Sequence, residues 1–77
     1  MNKNKVDEAI LALLYLGHWV EKPTGFARSW KSFDWDAMER LHNRALISDP
    51  VNTSKSVMLS AEGLQRAKEA FDRLFGD

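Results

Sequence analysis

Apolar positions recur at helical spacing through the first twenty residues. Val6, Ile10, Leu13 and Gly17 fall along one face, and Leu11, Tyr15 and Trp19, at i, i+4 and i+8, fall along nearly the opposite one. Asn4 is placed to cap this helix, and Asp7 and Glu8 sit near its positive end. A helix that is apolar on both sides belongs at the centre of its fold or of an assembly. Residues 21–24, which include Pro23, end it. In GFARSWKSF, residues 25–33, the side chains Phe26, Trp30 and Phe33 again recur at helical spacing, compatible with a short second helix capped by Thr24.

A third helix is predicted from Asp34, a good N-cap, with Phe33 before it placed to pack on Met38 as a hydrophobic staple. Trp35, Met38, Leu41 and Ala45 make its apolar stripe, while Asp36, Glu39, Arg40, Asn43 and Arg44 face outward. Leu46 and Ile47 lead into a brief strand that Asp49-Pro50 ends, and Asn52, Thr53 and Ser54 form a polar tip. A returning strand over residues 56–59 sends Val57 and Leu59 one way and Met58 the other. Ser60 then caps a last helix whose stripe is Leu64, Ala67, Phe71, Leu74 and Phe75, with a mixed-charge outer face. The expected class is mainly α with a small β-hairpin, ordered helix, short helix, helix, hairpin, helix, in one domain over residues 1–77.

The segment LHNRALISDPVNTSKSVMLSAEGLQRA resembles the helix–wing–helix stretch of winged helix-turn-helix regulators through Leu41, Leu46, Ile47, Leu59, Ser60 and Gly63. It departs from that pattern at Ala45, where Gly is usual; a left-handed backbone there would strain Ala but not Gly. Through VDEAILALLYL, WKSFDWDAMERLHNRALISDP and KSVMLSAEG the chain also resembles a family of short bacterial proteins catalogued only as a domain of unknown function. The winged-helix resemblance implies a DNA-binding regulator; the family resemblance implies no activity.

Charge argues against that implication. Lys plus Arg and Asp plus Glu number 11 each, and the balance holds locally, with no basic run to meet a polyanion. The third helix opens with Asp34, Asp36 and Glu39, at the end that a helix-turn-helix protein turns toward base edges. A carboxylate about 4 Å from a phosphate is repelled by roughly 1 kcal/mol in bulk water, and by more where water is excluded. Those acids suit a helix N-terminus and not a phosphate-lined groove. Arg40 has Asp36 one turn earlier as a partner.

Catalytic and metal chemistry find little footing. Cysteine is absent, His18 and His42 lie on different helices, no nucleophile motif frames a serine, and the four glycines are scattered. No enzyme activity, cofactor or small-molecule ligand is indicated. The longest apolar run, residues 9–16, falls short of the roughly 20 residues a membrane span needs, and MNKNKVDEA lacks a signal peptide's apolar stretch, so a cytoplasmic protein is expected.

The aromatic residues Trp19, Phe26, Trp30, Phe33 and Trp35 suit either a filled core or an exposed patch. The favoured expectation is a protein-interaction module that contacts a protein partner, including a second copy of itself, through Leu11, Tyr15, Trp19 and Trp30. The alternative is a DNA-binding regulator with Arg28, Lys31, Arg40, Arg44 and Lys55 on phosphates.

Overall fold

The structure, a computed structural model, describes residues 1–76. Its elements in chain order are α1 (Lys3–Leu16), β1 (Trp19–Val20), β2 (Ala27–Trp30), α2 (Trp35–Asn43), β3 (Ser56–Leu59) and α3 (Ala61–Phe75). The strands form one antiparallel sheet ordered β1-β2-β3, so the mixed α+β class holds.

The first helix begins two residues earlier than a cap at Asn4 would place it. Asn2, in extended conformation, is the cap, its side chain accepting from the Lys5 amide at 3.1 Å, and Asn4 lies inside the first turn. The helix ends at Gly17, before Trp19, so Trp19 does not continue the spiral of Leu11 and Tyr15.

No helix forms over residues 25–33; that stretch is the second arm of a β-hairpin. The Glu21 amide donates to the Phe26 carbonyl at 2.8 Å, the Gly25 amide donates to the Glu21 carbonyl at 2.7 Å, and Gly25 takes the positive φ of 78° that the turn needs. The Lys22–Pro23 peptide is cis. The helical spacing of Phe26 and Trp30 misleads because this strand carries its bulky residues outward. Ala27 and Ser29 are the buried positions of β2, and Arg28 and Trp30 alternate with them on the open side. Small inward residues let the sheet lie close on α1, where the Ser29 hydroxyl, 2 % exposed, donates to the Leu14 carbonyl at 2.9 Å.

Pairing of β3 also differs from the expected wing. Its ladder partner is β2, with Ala27 opposite Leu59 and Trp30 opposite Ser56. The predicted strand at residues 46–47 is reduced to one bridge, Ile47 to Leu59, supported by the Ser48 amide donating to the Met58 carbonyl at 2.9 Å. One helix, α1, precedes α2 among the described residues, so the short helix expected of a helix-turn-helix is replaced by the β1–β2 hairpin.

The caps of α2 and α3 are those the residues suggest. Asp34 accepts from the Ala37 amide at 3.0 Å, and the Ser60 hydroxyl accepts from the Gly63 amide at 2.9 Å. α2 ends in a Schellman closure, the Leu46 amide donating to the Leu41 carbonyl at 3.0 Å and the Ala45 amide to the His42 carbonyl at 2.9 Å. Ala45 therefore stands at the left-handed position, with φ at 59°. The first turn of α3 sits directly on this closure, for the Ser60 amide donates to the Leu46 carbonyl at 3.0 Å.

Leu14, Met38, Leu41, Leu46 and Val57 are fully buried at the centre, and Ala12, Ala37, Ala67 and Ala70 let the helices approach closely. The sheet packs one face on α1 and α3 and leaves the other uncovered by any helix. On α2, Met38 and Leu41 are buried, but Trp35 and Ala45 of the expected stripe are exposed. On α3, Leu74 and Phe75 are exposed as well, whereas Ala67 and Ala70 are buried.

Candidate interaction surface

The uncovered face of the sheet gathers side chains from three strands. Trp19 of β1 stands opposite Arg28, Arg28 stands opposite Met58, and Trp30 stands opposite Ser56, so these residues share one side. The rings of Trp19 and Trp30 lean together at 5.0 Å between centroids, tilted by 48°. Trp30 remains 56 % exposed, and Val20 at the sheet edge and Phe26 at the turn are exposed too. Further along, Trp30, Phe33 and Trp35 line a shallow cleft of about 570 Å³ whose rim carries Lys31 and Lys55.

Arg28, on the same side of the sheet, is held by polar groups. Its Nε donates to the Ser56 hydroxyl at 2.9 Å, its Nη2 donates weakly to Ser54 and Ser56 at 3.4 Å, and the Glu21 carboxylate lies 3.8 Å away. The patch thus combines large apolar rings with one cation and one anion that face each other without a hydrogen bond.

A second feature lies where the helices meet. Asp7 is 3 % exposed, and both its oxygens are engaged by Arg40: Nε donates to Oδ1 at 3.1 Å and to Oδ2 at 3.0 Å, and Nη2 donates to Oδ1 at 2.7 Å. Hydrogen bonding to Asp7 raises the Arg40 pKa, partial desolvation opposes this, and the fields of Asp7, Asp34 and Asp36 add to the rise. A raised guanidinium pKa keeps the stabilising charge in place at all lower pH and surrenders it only in strong alkali. The expected pairing of Arg40 with Asp36 along α2 is displaced by this contact with α1. A buried carboxylate without a partner costs far more than an exposed one, so Asp7 takes the guanidinium.

The other histidine and metal expectations can be placed directly. His18 stacks on Tyr15 at 4.7 Å, and the His42 Nδ1 lies 3.1 Å from the Ile47 carbonyl. Among the described residues no group of three His, Asp or Glu is arranged to hold a metal ion, and no helix is long and apolar enough to cross a membrane.

With this geometry in hand, comparison with known proteins fixes the family. A family model described as Domain of unknown function (DUF6429) matches residues 2–77. The chain belongs to that family. It is similar to "Uncharacterized protein y4hR" of Sinorhizobium fredii (strain NBRC 101917 / NGR234), 49% identical over 75 residues that cover 97% of this chain and 95% of the relative. No solved structure matches the chain.

Within this DUF6429 fold the four expected interface residues do not share a surface. Leu11 is 5 % exposed and belongs to the core, and Tyr15 is half-buried against Phe71 of α3 at 5.3 Å. Helix α3 covers the side of α1 that was expected to be open, and Leu13 and Leu16 are its exposed apolar residues instead. Trp19 and Trp30 do come together, on the sheet. Val20, paired with Ala27, and Phe26 at the turn are exposed as well but lie off this tryptophan pair.

The five expected phosphate contacts are scattered and mostly engaged. Arg28 is tied to Ser54 and Ser56, and Arg40 to Asp7. The Lys31 Nζ donates to the Pro50 carbonyl at 2.7 Å and to the Asn52 carbonyl and side chain at 3.1 Å. Arg44 opens on the cleft between the helices and Lys55 on the tryptophan cleft, and neither side chain has a hydrogen-bond partner among the described residues. Asp34, Asp36 and Glu39 are exposed along the same helix.

Proposed function

We propose that the chain is a bacterial, cytoplasmic interaction module without catalytic activity, and that it pairs with a second copy of itself through the open face of its sheet. The observation that carries this reading is the Trp19–Trp30 pair, left more than half exposed at Trp30 on a sheet face that no helix covers. Contiguous exposed apolar surface marks contact sites, and tryptophan is a favoured anchor at their centres.

Charge favours a second copy over a strongly charged partner. The chain has equal numbers of acidic and basic residues, so two copies do not repel at long range. In a two-fold arrangement each Arg28 can meet the Glu21 of the other copy, and the contact repeats by symmetry. The competing DNA reading has less support, because Arg28, Lys31 and Arg40 are already engaged inside the chain and α2 opens with exposed acids.

Light scattering over a concentration series tests the proposal. The wild-type chain is expected to approach twice its 8.8 kDa mass as concentration rises, while Trp30→Ser, which removes no core contact, stays monomeric with an unchanged circular dichroism spectrum. A wild-type mass that stays monomeric at millimolar concentration contradicts it.

A further inference from the structure

The cleft at the junction of α1, α2 and α3, about 620 Å³ in volume, is lined by Arg40, Arg44, Arg66 and Arg73 against the carboxylates Asp7, Glu8 and Glu69. Two of its three acids are paired with arginine, and the third, Glu69, meets only a neutral amide. Asp7 is saturated by Arg40, Glu8 pairs with Arg73 at 2.9 Å, and Glu69 accepts from Gln65 at 3.3 Å. Three of the four arginines are paired as well, Arg66 with Glu62 at 3.0 Å, which leaves Arg44. Arg44 makes no side-chain contact with a carboxylate among the described residues, and Arg40 leaves its Nη1 unused.

Arg44, the C-cap residue of α2, lies one turn beyond Arg40, and Arg66 and Arg73 form the opposite wall on α3. The bidentate grip on Asp7 fixes the plane of the Arg40 guanidinium, so its remaining donors are aimed before any ligand arrives. Asn43 adds a neutral amide between the two arginines along the helix.

We propose that this cleft binds a compact oxyanion, a phosphate or a carboxylate, between Arg40 and Arg44, a site that the residue pattern alone did not indicate. The site is separate from the aromatic face of the sheet and stands whether or not two copies pair.

Titration of the full chain with inorganic phosphate and, separately, acetate, at ionic strength held constant with chloride, tests this. The readout is the nitrogen-15 NMR signal of the Arg40 and Arg44 Nε–H groups and the Asn43 amide. Saturable shifts at these groups are expected, and the anion that saturates at the lower concentration identifies the source class. Arg44→Gln is expected to weaken binding about tenfold, the scale of one lost charge-assisted hydrogen bond, while Lys55→Ala leaves it unchanged. Linear shifts that chloride reproduces, an unaltered affinity in Arg44→Gln, or an equal loss in Lys55→Ala would overturn the assignment.

Discussion

At the scale of single residues, Ala45 carries a strain that can be removed. A left-handed backbone costs an L-residue roughly 1–2 kcal/mol, and Gly avoids that cost while losing some entropy in the unfolded chain. With φ at 59°, Ala45→Gly is expected to raise stability by about 0.5–1 kcal/mol, seen as a rise of several degrees in the thermal midpoint. Gly63 carries the opposite constraint. A Cβ there would stand 1.8 Å from the Leu46 carbonyl oxygen, which is backbone and already accepts from Ser60. Gly63→Ala is expected to cost about 1–3 kcal/mol in chemical denaturation, as overpacking generally does. Both positions were visible in the sequence as one departure from, and one match to, a helix–wing–helix pattern. Asp7 was not. In the sequence it reads as a charge near the helix N-terminus, although Asp7, Leu11 and Leu14 share one face at i, i+4 and i+7, and only the arrival of Arg40 from a distant helix explains an acid there.

At the scale of elements, the helices were legible and the hairpin was not. Asp34 and Ser60 announce their helices because a side chain that accepts from the first-turn amides acts locally, over three residues. The β2 strand inverts the usual pattern, with Ala27 and Ser29 inward and Trp30 outward, so a search for buried bulk finds a helix period in it. What decides the matter is tertiary: β3 lies beside β2, and α1 lies beneath both. Ser29 is the residue that senses this packing. Ser29→Ala is expected to cost about 1 kcal/mol by leaving the Leu14 carbonyl without its donor, and Ser29→Leu to cost more by forcing the sheet off α1. Equal costs in urea titrations would show that the sheet does not sit tightly on the helix. The strand at residues 46–47 was over-read, since a single bridge at Ile47 forms where a two-stranded wing was expected.

At the scale of the whole molecule, a chain of 77 residues has little interior for its aromatic content. Four core alanines and a thin sheet fill the space between the helices, and Trp30, Trp35 and Phe26 are left outside. Balanced charge is legible in composition, and so is an aromatic content too large for the interior, but the exposed rings lie on the sheet and not along α1. A helix seen in isolation cannot show that α3 will cover it, or that its last predicted contact, Trp19, will leave the helix and join a sheet. The pairing of two copies through that sheet is therefore best tested at the indole groups themselves. In nitrogen-15 NMR spectra taken over a concentration series, the indole Nε1–H signals of Trp19 and Trp30 are expected to shift together toward a plateau, while the amides of Leu14 and Val57 stay fixed. Indole signals that hold still up to millimolar concentration, or shifts confined to Leu13 and Leu16 on α1, would contradict the account.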